Sequence, residues 1–278
     1  MLKEIPQMSS PRVKVLVPHL IDRKDSSDVL TMVTAYDSTF ASIVDEAGVD
    51  LILVGDSVAT VMQGQKTTLC VSMEQMEYHV QMVASVKPKA LIVGDLPFGS
   101  YQASAEDAVR NAIRLVKAGA EIVKLEGGVY VQEAVEAIVR ADIPVMGHIG
   151  LTPQSYHRMG GNKVQGREEG TQSGSRDRIL ADARAVENAG VCSFVIEAVP
   201  AELATEITAT AAVPTIGIGA GVNCDGQVLV LHDLLGLSER SFKFAKAYSN
   251  LRQVSINAVS EYVSDVQRRC FPDATNSF

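Results

Sequence analysis

Short apolar runs alternate with segments of helical period along most of the chain. Nearly continuous apolar runs rich in β-branched residues are typical of parallel strands buried on both faces. Eight such runs are predicted as strands: Val29–Thr34, Asp50–Val54, Ala90–Gly94, Glu121–Leu125, Ile143–Gly147, Cys192–Ile196, Val213–Gly217 and Gln227–Leu231. The spacing of apolar residues predicts helices over Ser38–Ala47, Ser72–Ser85, Ser104–Ala118, Val131–Arg140, Arg176–Asn188, Ala201–Thr210 and Leu251–Arg269.

This alternation of strand and helix predicts an α/β fold, a (β/α)8 TIM barrel. We expect residues 1–278 to form a single barrel domain with an N-terminal extension and a C-terminal closing helix. One connection is irregular, because only nine residues separate the seventh and eighth runs. A full crossover helix needs a dozen or more residues. Either the last unit is abbreviated or the strand boundaries lie elsewhere.

Composition narrows the classes of function. The 278 residues are 46% hydrophobic and 21% charged, with a formal net charge of -8. An acidic chain is not expected to bind nucleic acid, which requires a dense basic surface. There is no signal-peptide core and no apolar run long enough for a bilayer, so we expect a cytoplasmic protein without a membrane partner. The four cysteines form no Cys-x-x-Cys pair, which favours free thiols over a zinc ribbon or a disulfide framework.

Polar side chains follow the predicted strands at their carboxyl ends, where barrel enzymes place their active sites. Lys124 and Glu126 are two residues apart, so their side chains share one face of the fourth strand. The barrel hypothesis therefore brings four carboxylates, a lysine and a histidine to one rim. The candidate residues are Asp56, Ser57, Asp95, Lys124, Glu126, His148 and Glu197.

Carboxylates grouped at one rim repel one another unless a cation lies between them. Oxygen ligands suit Mg²⁺, or Mn²⁺, rather than zinc. A single Asp after a strand more often caps the next helix, but four acids with a lysine favour a functional site. His148 is left open between hydrogen bonding around the metal residues and contact with a substrate. The segment Thr152–Ser175 is long and glycine-containing, as functional lids often are, and its role is open.

Seven motifs occur in an order that closely resembles the ketopantoate hydroxymethyltransferase family: Thr34–Asp37, Val54–Ser57, Gly94–Phe98, Val123–Gly128, Gly147–Gln154, Lys163–Arg167 and Gly217–Gly221. That family is a (β/α)8 barrel of the phosphoenolpyruvate mutase and isocitrate lyase type. The resemblance implies that Asp56 and Asp95 ligate one Mg²⁺ per subunit and that Glu126 completes the metal site directly or through water. It also implies that Asp56, Ser57, Asp95 and Lys124 hold the substrate and that Glu197 is the proton acceptor.

The resemblance also implies an activity. The family transfers a hydroxymethyl group from 5,10-methylenetetrahydrofolate to 3-methyl-2-oxobutanoate through a Mg-stabilised enolate, giving 2-dehydropantoate for pantothenate biosynthesis. A homo-oligomer, a decamer in the family, is expected. Two alternatives stay open from the residues alone. One is a Mg-dependent 2-oxo acid lyase or mutase of the phosphoenolpyruvate mutase group, and the other is a non-catalytic metal- or metabolite-binding barrel.

Overall fold

A closed barrel of parallel strands forms the body of the protein. The computed structural model describes residues 12–24, 26–170, 172–239 and 242–278. Within them, each strand pairs with the next in chain order and β8 pairs with β1, which closes the barrel. The strands are β1 Leu30–Thr34, β2 Leu51–Val54, β3 Leu91–Asp95, β4 Ile122–Lys124, β5 Val145–Gly150, β6 Ser193–Glu197, β7 Thr215–Ile218 and β8 Gly226–Leu229. The predicted fold class is confirmed.

The seven predicted helices lie close to their predicted positions, and the described chain also contains four short helices of four or five residues that were not predicted. Ser72 and Ser104 cap α4 and α5 by accepting hydrogen bonds from the backbone N–H groups of Gln75 and Asp107. The helices are α1 Val17–Ile21, α2 Ser38–Glu46, α3 Val58–Val61, α4 Met73–Ser85, α5 Ala105–Ala118, α6 Gln132–Arg140, α7 Tyr156–Met159, α8 Arg176–Asn188, α9 Ala201–Thr210, α10 Leu231–Leu234 and α11 Leu251–Gln267. Two 3-10 helices span Val129–Val131 and Pro153–Ser155.

The barrel interior is filled by apolar side chains from the strands. The buried cluster includes Leu91 and Val93 of β3 and Ile122 of β4. Successive side chains of a strand point to opposite faces, so every second residue shares a face. Asp95 is two residues beyond Val93, and Lys124 is two beyond Ile122, so both continue the inward-facing series at the carboxyl ends of their strands.

Two boundaries differ from the sequence prediction in ways that matter. The fifth strand extends to Gly150 rather than ending at Gly147, because residues 147–150 pair with residues 194–197 of β6. His148 therefore lies inside a strand, not after one. Between β7 and β8, residues 219–225 contain no helix, so the abbreviated last unit is the correct reading of that short connection.

The described residues group into two compact units, one ending at Leu229 and one beginning at Val230. The first holds the barrel, and the second holds α10 and α11. The single-domain organisation of residues 1–278 stays a prediction. No residue of α11 is buried, and one face of this helix presents apolar side chains that are 43–61% exposed: Val259, Tyr262, Val263 and Val266.

Two further expectations concern the cysteines and the membrane. All four cysteines are free, with Cys192 and Cys224 buried and Cys70 and Cys270 exposed. Among the residues that the structure describes, no helix is both long and apolar enough to cross a membrane.

Candidate active site

The inward-facing polar residues meet at the carboxyl ends of β2 to β6. Asp56 follows β2, and its backbone N–H donates a hydrogen bond of 3.2 Å to Oδ2 of Asp95 at the end of β3. Both aspartates are buried, at 4% and 1% exposure. Neither side chain caps a helix: that of Asp56 accepts from Gln154, and that of Asp95 faces Lys124. The capping alternative is therefore not supported for these two residues.

The ionised forms of the two aspartates are disfavoured by burial and by neighbouring negative charges. Burial raises the pKa of Asp56 well above its ordinary value, and the negative charges of Asp95 and Glu126 raise it further. Burial also raises the pKa of Asp95, although the ammonium group of Lys124 opposes this shift. A carboxylate pair of this kind is stabilised in its ionised form by a nearby cation.

Lys124, at the end of β4, is a cation in this position. Its Nζ lies 2.8 Å from Oδ1 of Asp95 and 3.9 Å from Oε1 of Glu126. Burial alone lowers the pKa of Lys124, but the charges of Asp95, Glu126 and Asp56 outweigh burial, so the pKa is raised. The lysine is therefore held ionised within a buried set of acids.

His148 connects Glu126 to Glu197. Its Nδ1 lies 3.3 Å from Oε1 of Glu126, and its Nε2 lies 3.2 Å from Oε2 of Glu197. Burial and the charge of Lys124 lower the pKa of His148, but the two glutamates outweigh them and raise it to about 9. The pKa of Glu126 is shifted upward by burial, yet its contacts with His148 and Lys124 lower it overall. The two carboxylates thus favour the protonated imidazole, against the ammonium group of Lys124, whose Nζ lies 3.4 Å from Nδ1 of His148.

The charges of this cluster fit a divalent ion. When all four acids are ionised, Asp56, Asp95, Glu126 and Glu197 carry four negative charges against the two positive charges of Lys124 and protonated His148. A divalent cation would balance the remaining two charges and would offset the burial that otherwise favours the protonated forms of the two aspartates. Among the described residues, no group of three or more His, Cys, Asp or Glu side chains is arranged to hold a metal ion by itself. Mg²⁺ is commonly held by one or two carboxylates together with water and substrate oxygens. Asp56 and Asp95 fit that pattern.

Glu126 is placed differently from the two aspartates. Its Oε1 faces His148 at 3.3 Å, and its Oε2 accepts a hydrogen bond of 2.9 Å from the backbone N–H of Gln154. Both oxygens therefore already have protein donors. Of the two roles that the sequence left open for Glu126, this favours contact with a metal through water over direct ligation.

Ser57 lies beside Asp56 at the start of α3, and its side chain is half-buried. Its Oγ is 2.8 Å from the hydroxyl oxygen of Tyr36. The sequence-based set is thus brought together as one chain of contacts from Asp56 to Glu197, with Ser57 next to its first member.

Two residues of this site were missed from the sequence. Gln154 and Tyr101 are buried, at 6% and 2% exposure. The Tyr101 hydroxyl group donates a hydrogen bond of 2.6 Å to Oε1 of Gln154, whose Nε2 donates to Asp56. The one signal available was the position of Gln154 at the end of the motif Gly147–Gln154, which carries no chemistry by itself.

The segment Thr152–Ser175, of which residue 171 lies outside the described residues, is attached beside the rim. The backbone N–H of Gln165 donates a hydrogen bond of 2.9 Å to the carbonyl oxygen of Ala198, the residue after Glu197. Ala198 has a φ of +47°, a strained conformation for a residue with a Cβ atom. A cavity of about 40 Å³ lies between this segment and α8, lined in part by Arg158, Arg178 and Asp182. The role of the segment as a lid stays a prediction.

Comparison with known proteins gives a consistent family. The family model described as ketopantoate hydroxymethyltransferase matches residues 14–274. A relative from Pelobacter propionicus, named 3-methyl-2-oxobutanoate hydroxymethyltransferase, is 51% identical over 273 residues, covering 98% of this chain and 100% of its own. A relative of the same name from Ignicoccus hospitalis is 52% identical over 259 residues, covering 93% and 97% of the two chains.

Solved structures with the same architecture are more distant. Phosphonopyruvate hydrolase in complex with oxalate and Mg++ superimposes with a TM-score of 0.60 at 13% identity, covering 94% of this chain and 93% of that chain. The 2,3-dimethylmalate lyase, a member of the PEP mutase/isocitrate lyase superfamily, superimposes with a TM-score of 0.59 at 15% identity, covering 96% and 93%. These similarities confirm the predicted phosphoenolpyruvate mutase/isocitrate lyase-like fold.

Proposed function

The chain belongs to the ketopantoate hydroxymethyltransferase family, and on that basis we propose that it transfers a hydroxymethyl group from 5,10-methylenetetrahydrofolate to 3-methyl-2-oxobutanoate. The product would be 2-dehydropantoate, for pantothenate biosynthesis. The observation that carries the proposal is the buried cluster of Asp56, Asp95 and Lys124 beside a separate carboxylate, Glu197. A site that only bound a metal would not need that additional carboxylate.

The substrate is an anion with a keto oxygen next to its carboxylate. Lys124, held ionised, supplies a positive charge for the substrate carboxylate or for the oxygen that becomes negative during the reaction. Ser57 lies next to Asp56 and offers a hydroxyl group. Asp56 and Asp95 would hold Mg²⁺, with Glu126 in contact through water. Mg²⁺, when bound, would supply Lewis-acid stabilisation of the enolate.

Glu197 would accept the proton from C3 of the 2-oxo acid. Its side chain is 15% exposed, at the end of β6, and its Oε2 lies 3.2 Å from Nε2 of His148. A protonated imidazole at this distance orients the carboxylate and leaves its other oxygen for the substrate. The carbanion at C3 then forms a bond to the one-carbon unit, which the folate holds between its nitrogens N5 and N10. Both carbon–nitrogen bonds break and water supplies the hydroxyl oxygen. Tetrahydrofolate leaves with two protons on these nitrogens, one balancing the proton lost from C3 and one from the water. The folate supplies the electrophile, and the protein supplies position and charge.

A transfer assay tests this proposal directly. Purified protein is incubated with 3-methyl-2-oxobutanoate, 5,10-methylenetetrahydrofolate and Mg²⁺, and 2-dehydropantoate is measured by mass spectrometry. We expect product only when all three are present, loss of product with EDTA, and recovery when Mg²⁺ is restored. Asp95→Asn should weaken Mg²⁺ and 2-oxo acid binding together, whereas Lys117→Met, at an exposed site on α5, should match the wild type. Absence of product in the complete mixture would refute the transferase proposal, and full activity in metal-free protein would refute the metal assignment.

We also propose a homo-oligomer, a decamer by family resemblance. The apolar side chains exposed on α11 support this, because exposed apolar patches on a helix often mark contacts between subunits. Light scattering should give a mass several times that of the 29.7 kDa chain, and a stable monomer would refute the proposal.

A further inference from the structure

One buried side chain from the segment after β5 contacts the proposed metal site, whose aspartates lie at the ends of β2 and β3. Gln154 lies in the 3-10 helix Pro153–Ser155, after β5, and is 98 residues from Asp56 in the chain. Its Nε2 nevertheless donates a hydrogen bond of 3.0 Å to Oδ2 of Asp56, and its backbone N–H donates one of 2.9 Å to Oε2 of Glu126. A single residue therefore fixes two acids that arrive from different strands.

The amide of Gln154 has all its hydrogen-bonding capacity in use. Besides Asp56, Nε2 donates to the carbonyl oxygen of Leu96 at 3.0 Å. Oε1 accepts from the Tyr101 hydroxyl group at 2.6 Å and from Nε2 of Gln102 at 3.1 Å. A glutamine amide offers two N–H donors and one oxygen with two lone pairs, so every donor and acceptor of this amide has a partner.

The orientation of this amide is also determined. The carbonyl oxygen of Leu96 only accepts, so the atom that faces it must be the nitrogen of Gln154. On the other side, Oε1 of Gln102 accepts from the backbone N–H of Gly99 at 2.7 Å, which turns the Gln102 nitrogen toward Gln154. The Tyr101 hydroxyl group accepts from the backbone N–H of Glu126 and donates its one proton over the shortest contact, to Gln154. Gln154 is thus a fixed donor toward Asp56.

A fixed donor on one oxygen of Asp56 has a consequence for cation binding. Oδ2 of Asp56 already accepts a hydrogen bond from Gln154, whereas no described residue donates one to Oδ1. Oδ1 is therefore the oxygen of Asp56 that is available to a cation. Without the Gln154 amide, the Asp56 carboxylate would lose the donor that sets its orientation.

We propose that Gln154 is a positioning residue that holds Asp56 and Glu126 in the arrangement needed to bind the divalent ion. The inference rests on the proposed function for the identity of the site. It goes beyond that function by giving a defined task to a residue that the sequence did not distinguish. Hydrogen bonds to metal ligands are typically worth about tenfold to a hundredfold in metal affinity.

The test measures Mg²⁺ binding in the absence of both substrates. Gln154→Met removes the amide and keeps a side chain of similar length. Gln81→Met makes the same chemical change at an exposed site on α4 and serves as the matched control. Isothermal titration should show a Mg²⁺ dissociation constant about tenfold to a hundredfold higher for Gln154→Met, and an unchanged constant for Gln81→Met.

A second variant protects the test against loss of folding. Tyr101→Phe removes the hydroxyl group that orients the Gln154 amide. It also removes a backbone hydrogen bond of Glu126, but it keeps the side chains of Asp56, Glu126 and Gln154, so it should weaken Mg²⁺ binding in the same direction by a smaller factor. If Gln154→Met does not fold, this variant decides the outcome. An unchanged Mg²⁺ constant in folded Gln154→Met, or in Tyr101→Phe when the first variant is unfolded, would overturn the proposal. A lower melting temperature with unchanged Mg²⁺ affinity would show a purely structural role and would also overturn it.

The same experiment separates this proposal from the proposed function. Wild-type protein that binds Mg²⁺ but forms no 2-dehydropantoate would refute the transferase activity and leave the role of Gln154 standing. Wild-type protein that binds no Mg²⁺ would overturn the role of Gln154 together with the metal assignment.

Discussion

Replacing Lys124 with Met tests whether the buried charges of the site are balanced as the structure indicates. The side chain of Lys124 is 4% exposed, and its Nζ lies 2.8 Å from Asp95 and 3.9 Å from Glu126. Methionine fills a similar volume but brings no charge. The substitution therefore leaves Asp56, Asp95 and Glu126 buried with His148 as the remaining cation.

The size of the effect follows from these distances. Two unit charges at 2.8 Å attract by about 6 kcal/mol, and at 3.9 Å by about 4 kcal/mol, when the effective dielectric constant is about 20. Part of that attraction is offset in the wild type by the cost of burying the ammonium group. Breaking a buried ion pair typically destabilises a protein by about 3–5 kcal/mol. At about 2–4 °C per kcal/mol for a chain of this size, the melting temperature should fall by roughly 10 °C.

The loss of stability should also depend on pH. Burial already raises the pKa values of Asp56 and Asp95, so the folded state binds protons more readily than the unfolded state. Stability therefore falls as the pH rises from the ordinary carboxyl pKa through the raised value in the folded protein. Removing Lys124 raises both pKa values further. The loss of stability caused by Lys124→Met, relative to the wild type, should thus be larger at about pH 8 than at about pH 5.

Thermal unfolding of metal-free protein at the two pH values is the assay, with Lys117→Met as the control for loss of an exposed lysine. The control should stay within about 0.5 kcal/mol of the wild type. A Lys124→Met protein as stable as the wild type at the higher pH would refute the charge balance described for this site. An equal loss of stability at both pH values would refute the conclusion that the pH dependence arises from Asp56 and Asp95.

Three further predictions follow from the same contacts. Glu197→Gln should lower turnover by roughly 10²–10⁴, while the affinities for Mg²⁺ and the 2-oxo acid stay unchanged. Deuterium exchange at C3 of 3-methyl-2-oxobutanoate, measured by NMR without folate, should fall in parallel. Wild-type exchange in this variant would show that Glu197 acts after enolisation and that another group removes the proton. In metal-free protein, the NMR shift of the His148 ring should titrate near pH 9, because its pKa is raised to about 9. Its stabilising contribution should be fully present below its ordinary pKa of about 6.5 and lost as the pH rises from there through about 9. A titration midpoint near 6.5 would contradict the two contacts with glutamates. Gly128→Ala should destabilise the protein by about 1–3 kcal/mol in urea unfolding, since a Cβ atom there would lie 2.1 Å from that of Asp182, and an unchanged midpoint would contradict this close approach.

The barrel could be predicted because its strands are buried on both faces and their apolar runs are nearly continuous. The ends of the strands were harder to predict from the sequence, because hydrogen bonding to a neighbouring strand, rather than hydrophobicity, decides where a strand stops. His148 shows this well. The sequence placed it after the fifth strand, but pairing with β6 continues to Gly150 and includes it.

The acids and the lysine of the site could be predicted because each lies at the carboxyl end of an apolar run. The spacing of Lys124 and Glu126 placed both on one face, and their contact at 3.9 Å agrees with this. The part played by Gln154 could not be predicted in the same way. Its contact with Asp56 spans 98 residues and depends on how the chain turns after β5, which no local pattern encodes.

The pairing of β1 with β8 has a consequence for how the chain is synthesised. Leu30 and Gly226, which are neighbours across the closed barrel, leave the ribosome about 200 residues apart. At roughly 5–20 residues per second, one edge of β1 waits roughly 10–40 s for its partner. During that interval its backbone groups are open to pairing with another chain, which is a known route to aggregation.

The residues of the active site are also translated at different times. Asp56, Asp95, Lys124 and Glu126 are all translated before β6 delivers Glu197, and β8 follows last. A nascent chain therefore carries these residues before the strands that complete the barrel around them have been made. Until β8 is made, the incomplete barrel exposes surface that makes a chain prone to aggregation, so the finished barrel's stability is not its only safeguard.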